Sequence, residues 1–416
     1  MKIGVVVDNR LPSDGGGFTF QSIIIEALKT INSRHDFIVL DRSASANYCR
    51  SDGIQVIGIK PRHKKYRRYR DVLWWLNIAP VLLRGLQASL AKLTPLFLGS
   101  NLDTPLARAV KESKFEVVWF ISPYAEQVSC PIFVTVWDLQ HRLQPWFPEV
   151  SQPGWIWQMR EDLYARILPR ATRIITGTVA GKNEIIHFYR VPPDNVSVIP
   201  LPPPKLPDEI DEKHVLMAKK KYGIKDDYYI YPAQLWPHKN HVNLLYALAI
   251  VKSRSTSAPD LILTGSDKGN RGYIEDQARK LGVDKYVRYL GFIPQNDLFH
   301  LYQGAIAMVF PTFFGPDNLP PLEAFANGCP VIASRVCGSE DQLGDAVLMV
   351  DPSEPEEIAQ AMLAVFHDES LRCELQKKGY HRAAQCTSSD YIAQVCNLLD
   401  EFESVRRCWQ WGYVEI

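Results

Sequence analysis

Three segments of the chain hold residues whose types and spacing suit chemistry on a phosphorylated ligand. The first is Asp14-Gly15-Gly16-Gly17, between a β-branched run and the helical pattern FTFQSIIIEALK. Glycines there let backbone N–H groups approach a phosphate at the positive end of a helix. The spacing is not GxGxxG, and no acidic ribose ligand stands about 20 residues on, so dinucleotide binding is unsupported. A glycine cluster also serves a plain turn. The second segment is Leu235-Trp236-Pro237-His238-Lys239-Asn240, directly after the run YYIYPA. A lysine at the carboxyl end of a parallel strand suits a diphosphate, and its compact ammonium would neutralise charge on a leaving group. A surface lysine in a turn is the plainer reading. The third is PTFFGPDNLPPLEAFANGCPVIAS, Pro311 to Ser334. Its loop carries Gly315, Pro320 and Pro321 suit the first turn of a helix, and Glu323 is expected within that turn. There the carboxylate would accept hydrogen bonds from two ribose hydroxyls or simply favour the helix start.

These segments need strands and helices to hold them. Strand-like runs recur as KIGVVVD, FIVLD, IQVIGI, EVVWFI, IFVTVWD and RIITGT in the first half, then YYIYPA, DLILTG, VRYLGF, IAMVFPT and PVIAS in the second. Amphipathic segments with a 3.6-residue period lie between them, such as NHVNLLYALAIVKS from Asn240 to Ser253. Such alternation predicts an α/β architecture of parallel sheets covered by helices on both faces. The proline-rich stretch LPPPKLPDEIDE, Leu201 to Glu212, reads as a linker, with Asp208, Asp211 and Glu212 in water. The domains expected are therefore 1–203 and 204–388, with a last helix, Tyr391 to Arg407, and a tail in 389–416.

Composition narrows the function classes. The chain has 416 residues, 46% of them apolar and 22% charged, and a net charge of +1, so no global field attracts nucleic acid. Its eight cysteines lack a CxxC pair or zinc-like spacing and read as small buried residues in a reducing compartment. The N-terminal apolar run is short and ends in Asp8, unlike a signal peptide, and no stretch long enough to span a bilayer occurs. A cytoplasmic location is the expectation. One anomaly is KPRHKKYRRYR, Lys60 to Arg70, beside Trp74, Trp75 and an apolar stretch. It suits a peripheral contact with an anionic membrane surface, or else a solvated loop.

At this point the second half closely resembles the retaining family 4 glycosyltransferases, also called glycosyl transferases group 1. The matching residues are Pro237-His238-Lys239-Asn240, Leu290-Gly291-Phe292-Ile293-Pro294, LPPLEAFANGCPVIAS and GSEDQLGDAVLMV. In the first half the glycine cluster, VWDLQHR and RIITGTVAGKNEIIHFYRVP keep the family's order. The resemblance implies the GT-B fold: two Rossmann-like doubly wound domains facing each other across a cleft, with the C-terminal helix returning to the first. It implies a nucleoside-diphosphate sugar as donor, UDP-glucose first and GDP-mannose second. It implies a hydroxyl acceptor in polysaccharide or lipid-linked glycan synthesis, and no metal or other cofactor. It implies that Glu323 holds the ribose, that Gly291, Phe292 and Ile293 lie by the base, and that Lys239, Gly16, Gly17 and the amides around Asn318 and Leu319 hold the diphosphate. In place of the family's E-x7-E first carboxylate stands Gly315, in place of its arginine stands Gln234, and its His-Asp pair is Trp137-Asp138. Asp138 or Asp317 is a candidate for the missing sugar contact, and Arg271 for the missing cation. An epimerase or hydrolase of the same fold, or a nucleotide-binding protein without catalysis, are the competing classes.

Overall fold

The computed structural model describes residues 1–42, 49–51, 53–59, 104–151, 157–204, 212–255 and 257–410. Two sheets organise them. The first has eight strands in the order β3-β4-β2-β1-β5-β6-β7-β8. These are β1 (Lys2–Val7), β2 (Asp36–Asp41), β3 (Cys49–Ser51), β4 (Ile54–Gly58), β5 (Val117–Phe120), β6 (Ile132–Thr135), β7 (Arg173–Thr176) and β8 (Val196–Val198). The short β3 runs antiparallel to β4 at one edge, and every other pairing in the sheet is parallel. The second sheet is wholly parallel, in the order β11-β10-β9-β12-β13-β14. Its strands are β9 (Tyr228–Pro232), β10 (Asp260–Thr264), β11 (Val287–Gly291), β12 (Ala307–Phe310), β13 (Val331–Ser334) and β14 (Val347–Val350).

Both sheets start in the middle, run to one edge and then resume on the other side of the first strand. The switch points fall between β1 and β5 and between β9 and β12. This is the doubly wound Rossmann arrangement, whose crevices open at the carboxyl ends of the strands beside the switch. The strands are buried on both faces, as VVWF in β5, IFVT in β6, AMVF in β12 and VIAS in β13 show. A β-branched apolar run covered by helices on both sides needs no alternation. All the strand-like runs read from the sequence are strands; β3, β8 and β14 were not among them.

The last helix, Ser388–Arg406, begins three residues earlier than its apolar pattern suggested. Thr387 and Asp390 form a reciprocal capping box there, satisfying N–H groups that a helix start leaves open. This helix joins the first sheet's layer. Tyr391 meets the edge of Phe20 and stacks on Trp119, Phe402 packs against Phe133, and Asp400 accepts from Arg34 and His35.

Several expectations change. Within the stretch read as a linker, Leu201–Pro204 is buried, while Glu212 is exposed as expected and opens the helix Glu212–Lys221; the rest of that stretch lies outside the described residues. Proline excludes helix but not packing. The cysteines are not uniformly buried: Cys329 is, whereas Cys337, Cys373 and Cys408 are exposed. Lys60–Arg70, Trp74 and Trp75 lie outside the described residues. Among those described, no helix is long and apolar enough to cross a membrane.

Candidate functional site

The two switch points face each other, and a cavity of about 400 Å³ lies between them. Its wall takes Gly15, Gly16 and Gly17 from the loop after β1, Trp137 and Asp138 from beyond β6, and Lys239 from beyond β9. The loop after β12 adds Phe314, Gly315, Asp317, Asn318 and Leu319. Residues scattered over three hundred positions thus meet because each follows a strand whose carboxyl end points into the cleft.

The glycine cluster is a helix start. The helix Gly16–Thr30 has Gly15 as its N-cap at φ 73°, a left-handed conformation that favours glycine, and no side chain caps the first turn. Its leading N–H groups are therefore available to an anion. A second helix, Leu319–Ala326, starts at the same cavity with Asn318 as N-cap and prolines in its opening turn. The carbonyl of Gly315 accepts a hydrogen bond from Asn318 Nδ2 at 2.8 Å. Gly315 sits at φ 118°, and a Cβ there would approach the Asn318 amide to 2.7 Å. The tight loop that presents Asn318 thus requires glycine where a carboxylate was missed.

Lys239 ends the 3-10 turn Pro237–Lys239, and its ammonium lies 5.0 Å from the centre of the Phe310 ring. Burial lowers its pKa from 10.5 to about 8, partly offset by Asp138 and Glu149. Burial pushes the Asp138 carboxyl up, but Arg160 Nη2 at 2.8 Å and the Gln140 N–H at 3.0 Å outweigh it and hold the group below the usual range. Asp317 is seated against Gly177 of the first half, where any side chain would overlap its carboxylate. Burial, with Glu184 nearby, raises Asp317 to about 7; the Gly177 amide eases this, yet neither oxygen has a hydrogen-bond partner among the described residues.

The cavity does not collect every expected residue. Glu323 is the fifth residue of its helix, in the second turn rather than the first, because the helix begins at Leu319. Its Oε2 accepts from Tyr302 Oη at 3.3 Å, it is buried, and burial raises its pKa to about 7 against the pull of that hydroxyl. It is not a wall of the cavity. Gly291 ends β11 and Phe292 and Ile293 follow it; none of the three lines this wall, and Phe292 is exposed while Ile293 is buried. Arg271, the candidate for the missing cation, does not line this wall and pairs with Glu275 at 2.7 Å over the Tyr289 ring. Gln234 is occupied as an inter-lobe tie: Nε2 donates to the Ser13 carbonyl at 2.8 Å and Oε1 accepts from Trp236 Nε1 at 2.8 Å.

Other wall residues escaped sequence reasoning. Arg10 lies over Trp137 and Tyr124, at 5.0 and 5.7 Å from the ring centres, pressed close to Gly17. Arg160 holds Asp138. Glu149 reaches from the first lobe to His238 of the second, accepting from its backbone N–H at 2.9 Å and from Nδ1. Burial lowers His238 to about 4, so the ring is neutral, and it stacks on Phe314 at 3.8 Å. Only Arg10 had a local signal, a cation four residues before the glycine cluster; Glu149 in PWFPEV belongs to no spacing.

Two opposed Rossmann-like domains with the ligand crevice at facing switch points define the GT-B fold. Solved structures share it over nearly the full length. Sucrose-phosphate synthase from Thermosynechococcus elongatus superposes with a TM-score of 0.69 at 15% identity, covering 97% of this chain and 99% of that one. Anabaena HepE in complex with UDP and glucose gives 0.66 at 16% identity, covering 96% and 100%. Residues 216–382 match the family model of the glycosyl transferases group 1. O-antigen chain mannosyltransferase B of Escherichia coli is 29% identical over 260 residues, 60% of this chain and 66% of that protein. The chain spans no more than about two thirds of the length of the first curated relatives it matches.

Proposed function

We propose that the chain is a retaining, metal-independent glycosyltransferase that moves a hexosyl group from a nucleoside-diphosphate sugar to a hydroxyl acceptor. The observation that carries this reading is one cavity between the lobes where the uncapped helix start at Gly16 and the Leu319 N–H converge with the partly buried ammonium of Lys239. Leu319 opens a helix whose Pro320 and Pro321 have no N–H and whose Asn318 N–H is held by Gln342. Backbone N–H groups and one lysine can hold a diphosphate without a metal. Charge grows on the diphosphate as the glycosidic bond breaks, so Lys239 stabilises the transition state more than the bound donor. Retention follows the family's pattern, in which no protein nucleophile intervenes and the departing phosphate takes the acceptor's proton on the same face. Catalysis then rests on positioning and on leaving-group stabilisation.

Similar proteins bear on the donor in two directions. The Escherichia coli relative is named for mannosyl transfer into an O-antigen chain, and the Anabaena structure holds UDP and glucose. UDP-glucose is the first donor to test and GDP-mannose the second, with a glycan or lipid-linked glycan as acceptor. The deciding experiment incubates each donor with and without candidate acceptors, in buffer and in EDTA, and follows release of the nucleoside diphosphate. The expected result is acceptor-dependent release that survives EDTA. Turnover without an acceptor favours an epimerase or hydrolase, binding without turnover a degenerate nucleotide-binding protein, and loss in EDTA with restoration by magnesium or manganese removes the metal-independent mechanism.

A further inference from the structure

We infer that Glu149 is a sugar-recognition residue supplied by the first lobe: its Oε2 accepts a hydrogen bond from a hydroxyl of the sugar in a nucleoside-diphosphate sugar bound in the cleft. This rests on the donor reading above and deepens it. The short helix Pro148–Ser151 carries Glu149 into the cavity wall, and its side chain is only 6% exposed. Two donors of His238 hold Oε1 and so fix the direction of the carboxylate. The other oxygen, Oε2, is buried and has no hydrogen-bond partner among the described residues. A buried carboxylate oxygen left unpaired is costly, and a bound hydroxyl relieves that cost through a charge-assisted hydrogen bond.

The surroundings say which part of the ligand it meets. Glu149 is bonded to the residue immediately before Lys239, and it contributes to the electrostatic environment of that ammonium. If Lys239 holds the diphosphate, a group in the same corner meets the sugar one bond away. Phe147 and Phe314, with ring centres 5.5 Å apart, border the same corner. Two other carboxylates near the cleft are committed, Asp138 to Arg160 and Gln140 and Glu323 to Tyr302. Asp317 also has unpaired buried oxygens among the described residues, but it is lodged against Gly177 and no side chain fixes its direction as His238 fixes that of Glu149. Gly315 itself offers none. Sugar recognition would then need both lobes together, since Lys239 and Glu149 belong to different ones.

Calorimetry with UDP, UDP-glucose, GDP and GDP-mannose, without an acceptor, tests this in wild type and in Glu149→Gln. The amide keeps the shape and an oxygen for His238 but removes the charge. For the nucleotide pair that wild type binds, affinity for the nucleoside diphosphate should stay within about twofold while the sugar nucleotide binds about tenfold more weakly. Monodeoxy analogues of that sugar nucleotide supply a second measurement, independent of how well the variant folds. One of them should bind wild type about tenfold more weakly, and that penalty should shrink in Glu149→Asp. An equal loss for UDP and UDP-glucose would make Glu149 a mere tether for His238 and overturn the inference. Unchanged affinity for both, or monodeoxy analogues that all bind like the parent, would overturn it too. If wild type binds none of the four probes, the donor reading itself fails and takes this inference with it.

Discussion

Lys239 sets function against stability, and the conflict can be measured. Its ammonium titrates near 8 instead of 10.5 because burial disfavours the charged form. At about 1.4 kcal/mol per pKa unit, that shift corresponds to about 3 kcal/mol of destabilisation in the free protein. The cleft still admits water to part of the side chain, which reduces the figure to about 1–3 kcal/mol. Lys239→Met keeps the stem and removes the charge. The free variant should therefore melt a few degrees higher than wild type at pH 7. The midpoint is the suitable readout, because a chain with two lobes need not unfold in one step. The sign with pH follows from proton counting. Between pH 8 and 10.5 the unfolded lysine holds a proton that the folded one has lost, so this residue's contribution to stability rises with pH across that window. Below pH 8 the cost is fully present. The stability gain of Lys239→Met should thus shrink as pH passes 8. A diphosphate reverses the preference, since it binds the ammonium form. Nucleotide affinity of wild type should fall about tenfold per pH unit above 8, and the variant should bind weakly with no such break. Turnover of the variant should drop by about two orders of magnitude or more. A variant that melts below wild type and keeps the same pH profile of nucleotide binding would refute the reasoning.

Two further outcomes are expected. Glu323→Ala should weaken nucleotide binding by about 1–3 kcal/mol if ligand entry turns its carboxylate from Tyr302 to the ribose; unchanged affinity by calorimetry removes the ribose assignment. If Lys60–Arg70 docks on a membrane, co-sedimentation should rise with anionic lipid and fall at high salt, each basic residue contributing about 1 kcal/mol, and Arg67→Glu, Arg68→Glu and Arg70→Glu together should release the protein; wild type that ignores anionic vesicles at low salt excludes it.

Much of the architecture was legible in the sequence because it depends on local pattern. Runs such as EVVWFI and IAMVFPT are β-branched, apolar and short, and a sheet covered on both faces is where such runs can bury both sides. The glycine cluster and the Asn318–Pro321 segment pointed to helix starts through residue types that those positions favour. Glu323 was misplaced by a turn because the helix boundary depends on which residue caps it, and Asn318 takes that place only once the loop has closed on Gly315. What no local pattern contains is the pairing across the cleft. That Glu149 bonds His238, that Gln234 ties down the Ser13 carbonyl, and that Asp317 fits against Gly177 depend on two lobes meeting at a particular angle. A carboxylate beside prolines and aromatics has no period or spacing that marks it as part of a site. Only the folded chain brings it close enough to act on Lys239, 90 residues away, and leaves one of its oxygens buried without a hydrogen-bond partner among the described residues, because burial and charge pairing are properties of the assembled cleft.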